Sequence, residues 1–424
     1  IACTRADWSA ALAHLENSRR LDTDNLRARG LATVVLRRLG RDAEAAALLT
    51  ETLRLDPLDV WARHLAGQPL PADNQFRLDL ALDYARAGLF AAALGVVAAA
   101  PTAATDGTAP LVSYYRAWLA HQLGDTKSVA SQLATAASAA PDYCFPARLE
   151  EIAILQFALA ANPLDARAPF YLGNLFYDRR RHQEAIKLWE RAVRREPPNA
   201  VAWRNLGIAY FNILGQPAKA RRAYEAAFRA NPADARLLYE RDQLWKRLGE
   251  KPAKRLRELE RHTDLVRTRD DLCVELCALH NQTGHPAAAL PILQTRRFQP
   301  WEGGEGQALG QPVRTHLLLG RAALAKDPAA ARAHFEQALA APENLGEAKH
   351  LLANQSDIHL WLGDACAAAG DKAAARAHWT AAATFKGDFQ NMSVSTFSEM
   401  KYYSALALRR LGKKAQADRL RLVD

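Results

Sequence analysis

From Ala166 to Pro197 the chain places Leu172, Gly173, Phe176, Ala185, Trp189 and Ala192 in steps of one, three or four, with a single wider gap of nine, and closes on Pro197. Counted from Ala166, these are positions 7, 8, 11, 20, 24, 27 and 32. Steps of three and four keep side chains on one face of a helix, so the stretch predicts two helices meeting along their apolar faces. The next stretch repeats it. Trp203, Leu206, Gly207 and Tyr210 take positions 4, 7, 8 and 11, and Ala220, Tyr224, Ala227 and Pro232 follow one residue late, after an insertion near Gln216 and Pro217. From Gly173 to Gly207 is 34 residues.

The small residues at positions 8, 20 and 27 allow two antiparallel helices to approach closely. Large residues at 4, 11 and 24 fill the remaining space, and Pro at 32 ends the second helix. Weaker copies are marked by a Gly between the helices and a small residue after it: Gly40 with Ala45, Gly88 with Ala93, Gly124 with Val129, Gly284 with Ala289, Gly370 with Ala375 and Gly412 with Ala417. Leu362, Gly363, Trp379 and Ala382 strengthen the copy around Gly370, and Leu319-Gly320 opens another. These residues resemble the tetratricopeptide repeat, and the resemblance implies an all-α solenoid of about a dozen antiparallel helix pairs over residues 1–424. Each pair leaves an apolar stripe that only a neighbour can cover, so the expected product is a superhelix with a concave face. Within it the expected segments are N-terminal repeats at 1–141, central repeats at 142–299, a loop at 300–312 and C-terminal repeats at 313–424.

The period breaks at Pro141 to Arg148 and at Arg296 to Pro312, which marks both as candidate functional loops or hinges. The segments CFPARLEEI (Cys144 to Ile152), YLGNLFYDRRR (Tyr171 to Arg181), RNLGIAY (Arg204 to Tyr210), RDDL (Arg269 to Leu272), WEGGEG (Trp301 to Gly306) and PENLGEAK (Pro342 to Lys349) carry a second resemblance. Together they look like one bacterial group of tetratricopeptide proteins whose repeats follow a mutarotase-like β-sandwich domain. The resemblance implies an association with carbohydrate. No β-sandwich is present in these 424 residues, so the chemistry of such a domain is not credited to them.

Composition narrows the classes. Hydrophobic residues make up 49% of the chain and charged ones 24%, which excludes disorder as the main state. Five Cys form no disulfide framework and suggest a reducing, cytoplasmic setting. The longest apolar run, Leu89 to Ala100, has 12 residues, fewer than the roughly 18 of a membrane span, and reads as a buried helix. Between Arg167 and Arg261 there are 22 Lys and Arg against 11 Asp and Glu, so the net charge of +10 originates in about a quarter of the chain. That stripe reads as solvated helix faces or as a surface for an acidic protein or docked domain. Its aromatic residues fall at core positions, which disfavours nucleic acid.

Four residues of the central repeats, Arg167, Asn174, Arg204 and Asn212, are expected to face the groove, with Tyr177 and Phe170 beside them. Arg and Asn suit carboxylates and exposed peptide groups. In the WEGGEG segment, Trp301, Glu302 and Glu305 could stack on a sugar and accept from its hydroxyls. Paired carboxylates could also serve glycoside hydrolysis, but the segment reads first as a structural loop, with Trp301 on a neighbouring helix and the carboxylates capping a helix or pairing with Arg296 and Arg297. Arg269, Asp270 and Asp271 precede a helix starting near Leu272, where Asp caps free N–H groups, and Arg269 or Asp270 is a second candidate to meet the WEGGEG loop. Cys273, Cys277 and His280 fall at positions 4, 8 and 11 of a repeat, so they read as core, and neither a metal site nor a cofactor is expected. With no catalytic motif or phosphate loop, the expected function is a non-catalytic scaffold for a protein, a peptide or its own upstream domain. A glycan-binding component is the alternative.

Overall fold

The computed structural model describes residues 1–101, 106–390, 393–395 and 398–421. Among the described residues there are 24 α-helices and one two-stranded antiparallel sheet, Asp388–Gln390 with Ser393–Ser395. The chain is an all-α helical-repeat protein, and the small sheet is an element that the repeat pattern did not foretell. It follows the helix Lys372–Thr384 and is joined to the preceding irregular segment by Asp388, which accepts from the Asn354 amide at 3.0 Å.

Two compact units are present, Ile1–Ala230 and Asn231–Asp424. In the first, Leu26–Arg38 packs on Asp42–Leu55, Asn74–Arg86 on Phe90–Ala98, Ala109–Gln122 on Thr126–Ser138, Arg167–Asp178 on His182–Arg195, and Ala200–Asn212 on Pro217–Ala230. In the second, Asp270–Gln282 packs on Pro286–Thr295, Gln307–Ala323 on Pro328–Leu339, Ser356–Ala368 on Lys372–Thr384, and Met400–Arg410 on Lys414–Arg421.

The sequence explains these hairpins locally. Asn199 caps the helix Ala200–Asn212 by accepting from the Ala202 amide at 2.9 Å, and Asp125, Asp327 and Asp371 do the same for theirs. At Gly40 the backbone turns with φ 73° while the Arg41 amide bonds back to the Leu36 carbonyl at 2.9 Å, the left-handed closure that Gly makes without a steric penalty. Of the small residues that follow such turns, Ala45, Ala93, Ala289, Ala375 and Ala417 are buried, and Val129 is half-buried. The apolar run from Leu89 forms the helix Phe90–Ala98, with Ala93, Val96 and Val97 in the core. No helix among the described residues is long and apolar enough to cross a membrane.

Of the two breaks, residues 139–149 contain no helix. The second is shorter than the sequence suggests, because the helix Gln307–Ala323 reaches back to include Pro312.

Candidate functional site

In the first unit, three of the side chains expected to line a groove, Arg167, Asn174 and Tyr177, are engaged by other side chains of the repeats. Asn174 Oδ1 accepts from Trp189 Nε1 at 3.0 Å and from Asn205 Nδ2 at 3.1 Å, and Tyr177 lies 5.2 Å from the Trp189 ring. Arg167 pairs with Glu196 at 2.8 Å. Phe170 is 4% exposed and packs against Tyr171, so it belongs to the core and not to a groove. The reason is the first turn of its helix, where Ala168, Pro169, Phe170 and Tyr171 are all covered. Arg204 is half-buried and Asn212 is exposed. Asn205 went unnoticed in the sequence, yet its bond to Asn174 ties two successive hairpins together.

The segment before the helix Glu150–Ala161 is held by one buried carboxylate. Glu151 accepts from the Ala147 and Arg148 amides at 2.7 and 2.9 Å and from the Tyr115 hydroxyl at 2.9 Å, and Arg179 donates to the Ala147 carbonyl at 2.8 Å. Cys144 is buried in this segment, and burial pushes its thiol up to about 12, which removes it as a nucleophile near neutral pH. A cleft of about 740 Å³ elsewhere in the unit is lined by Cys3, His14, Leu15, Leu31, Trp61 and Arg86. Its walls come from the first residues of the chain and the helices Trp8–Leu21 and Leu26–Arg38, closed by Trp61 and Arg86.

The second unit brings together three motifs that are distant along the chain. Asp270 accepts from the Arg296 guanidinium and, at 2.8 Å, from the Gln299 amide. Arg296 also donates to the Arg267 carbonyl at 2.7 Å. On the other side, the Phe298 amide donates to the Asn344 carbonyl at 2.7 Å, and Asn344 Nδ2 donates to the Leu293 and Arg296 carbonyls, both at 2.8 Å. Glu347 receives the Gly306 amide at 3.1 Å, at the start of the helix Gln307–Ala323. RDDL and PENLGEAK therefore fasten the segment that carries WEGGEG.

Within WEGGEG, the Trp301 indole closes on Gly304 so tightly that an added Cβ there would stand 2.0 Å from the ring. Glu305 accepts from the Gly303 amide at 3.2 Å, and Glu302 is exposed. Neither glutamate pairs with Arg296, which Asp270 holds, and the helix cap expected of them comes from Glu347. Arg269 turns to Asp271 at 2.6 Å, and Asp270 holds Arg296 and Gln299, the residues leading into the loop, rather than WEGGEG itself. Cys273, Cys277 and His280 are buried, and burial pushes the Cys277 thiol up to about 12. Among the described residues no three His, Cys, Asp or Glu side chains converge as metal ligands would.

The spacing and geometry agree with comparison to known families. Residues 152–201 and 172–213 match the family model described as tetratricopeptide repeat. These residues are tetratricopeptide-repeat sequence. Among solved structures, the chain is similar to "MamA 41-end from Desulfovibrio magneticus RS-1" at 17% identity, over 48% of this chain and 99% of that one, with a TM-score of 0.28. It is similar at 15% identity to YrrB, a TPR protein with an unusual peptide-binding site, over 53% of this chain and 96% of that one, with a TM-score of 0.22. The helices Arg167–Asp178, His182–Arg195 and Ala200–Asn212 lie within the residues that the family model matches.

Proposed function

We propose that this chain is a non-catalytic protein-interaction scaffold whose tetratricopeptide hairpins at 167–230 hold an acidic protein segment. Charge carries the reading: these residues contain 13 Lys and Arg against 5 Asp and Glu. Lys187, Arg194 and Arg195 on the helix His182–Arg195, and Lys219, Arg222 and Arg229 on Pro217–Ala230, are all exposed. The expected groove residues Arg167, Asn174 and Tyr177 are occupied within the repeat, so the cations of the second helices are the better candidates for contact. Repeats of this kind supply an extended rigid surface, and a run of one charge raises the local concentration of the opposite charge.

The test is binding of fluorescent acidic peptides to the full chain, compared with neutral peptides of the same length. Acidic peptides should bind more tightly, the preference should weaken as salt rises, and Arg194→Glu with Arg195→Glu should lower affinity roughly tenfold. Equal binding of acidic and neutral peptides, or indifference to salt and to charge reversal, would overturn the proposal.

A further inference from the structure

Two histidine pairs stand in the same register of successive hairpins in the second unit. His316, on the helix Gln307–Ala323, faces His334, on Pro328–Leu339, with Nδ1 to Nδ1 at 3.1 Å. His359, on Ser356–Ala368, faces His378, on Lys372–Thr384, also with Nδ1 to Nδ1 at 3.1 Å. In each hairpin the first histidine lies four residues before the glycine that receives the partner aromatic, Gly320 or Gly363, and the second lies one residue before that aromatic, Phe335 or Trp379. The hairpins at 167–230 carry Pro169 with Leu188 and Trp203 with Ala223 at these positions, so ordinary packing of the repeat does not require histidine there. All four rings are half-buried, within reach of solvent.

We propose that each pair is a two-imidazole chelate for a divalent first-row transition metal, joining the two helices of its hairpin. Imidazole nitrogen suits nickel, copper and zinc. An ion at about 2.0–2.1 Å from both nitrogens would subtend about 100° at the metal, between the octahedral and tetrahedral angles. The ring centroids, 5.4 and 5.3 Å apart, place the rings edge to edge, so each ring must tilt to aim its lone pair at the ion. The terminal torsion of histidine is broad and permits this.

Without metal, one Nδ1 carries a proton and donates it to the other. On binding, that proton passes through solvent to Nε2 of the same ring, so both imidazoles stay neutral and the metal takes both Nδ1 lone pairs. Burial lowers His316, His359 and His378 from the ordinary imidazole range, which favours the neutral ligating form. Near the second pair, Arg332 and Lys349 oppose a cation while Glu336 and Asp371 offset them, and Arg332 is held by Glu336 at 2.8 Å. Since no third side chain converges on either pair among the described residues, water completes the coordination and the ions remain exchangeable.

Calorimetric titration of the full chain with Ni²⁺ at slightly alkaline pH tests this. The wild type should bind two ions, His334→Ala and His378→Ala one each, and the double variant neither. Where an alanine variant loses its helical circular dichroism, His316→Asn or His359→Asn probes the same pair from the other helix. Wild-type protein that binds no Ni²⁺, or a folded double variant that keeps the wild-type stoichiometry, would overturn the proposal.

Discussion

A Cβ placed on Gly173 would stand 2.6 Å from the indole of Trp189, nearer than real Cβ contacts come. The same relation joins Gly207 to Tyr224, Gly320 to Phe335 and Gly363 to Trp379, in both units of the chain. In each case a glycine of the first helix admits a large ring of the second, and the ring then fills the space between them. Gly173→Ala should therefore overpack a buried contact and cost about 1–3 kcal/mol, read as a lower urea midpoint at unchanged slope. Gly363→Ala should behave alike in the second unit, and wild-type stability in both variants would refute this account of the hairpin.

Arg180 occupies the turn between Arg167–Asp178 and His182–Arg195, where neighbouring hairpins place glycine, and its φ is 60°. A left-handed conformation costs a residue with a Cβ about 1–2 kcal/mol, partly offset by the greater chain entropy that glycine loses on folding. Arg180→Gly is expected to raise stability by up to about 1 kcal/mol in thermal unfolding. A loss instead would show that the arginine side chain contributes more than the strain removes.

The hairpins were legible in the sequence because their determinants are local: a cap, a turn glycine and residues three or four apart on one face. Trp189, Ala185 and Gly173 sit where their spacing requires. The fastening of the Trp301 loop was only half legible. RDDL, WEGGEG and PENLGEAK stood out as motifs, and Asp270 was a candidate to meet the loop, but nothing in their spacing says that Asn344 and Glu347 hold the same segment from the other side. Phe170 was misplaced for a related reason, since position in a repeat does not reveal how deeply a helix's first turn is covered. The histidine pairs have no tight ligand spacing along the chain, because their members are 18 and 19 residues apart and meet only across a hairpin.

Glu347 replaces the missing side-chain cap of the helix Gln307–Ala323, whose own N-cap is Gly306. Its carboxylate lies 3.1 Å from the Gly306 amide and 3.4 Å from that of Leu309. Glu347→Ala should cost about 1–2 kcal/mol, in line with loss of a capping carboxylate, and should speed hydrogen exchange at Gly306 and Leu309 before the rest of the helix. Exchange unchanged at those two amides would mean that the helix end is held by its packing alone.

In the second unit, Glu275 sits in a buried charge network, 2.9 Å from Lys246 Nζ and 2.6 Å from Arg255 Nη2. Burial acts to raise its carboxyl, but the bonds from Lys246 and Arg255 outweigh burial and hold it below the ordinary value of 4.5. A carboxyl depressed in the folded state contributes stability that is complete above its unfolded value and is lost as pH falls through the folded one. Glu275 should therefore make the unit more acid-sensitive below about pH 4.5, whereas Glu275→Gln, which cannot titrate, should lose stability at neutral pH and show a flatter decline into acid. Urea melts of both proteins between neutral pH and about pH 3 provide the measurement. Parallel curves would show that other carboxylates govern acid unfolding, and a variant as stable as wild type at neutral pH would show that Asp242 alone, 2.6 Å from Arg255, suffices to hold the buried guanidinium.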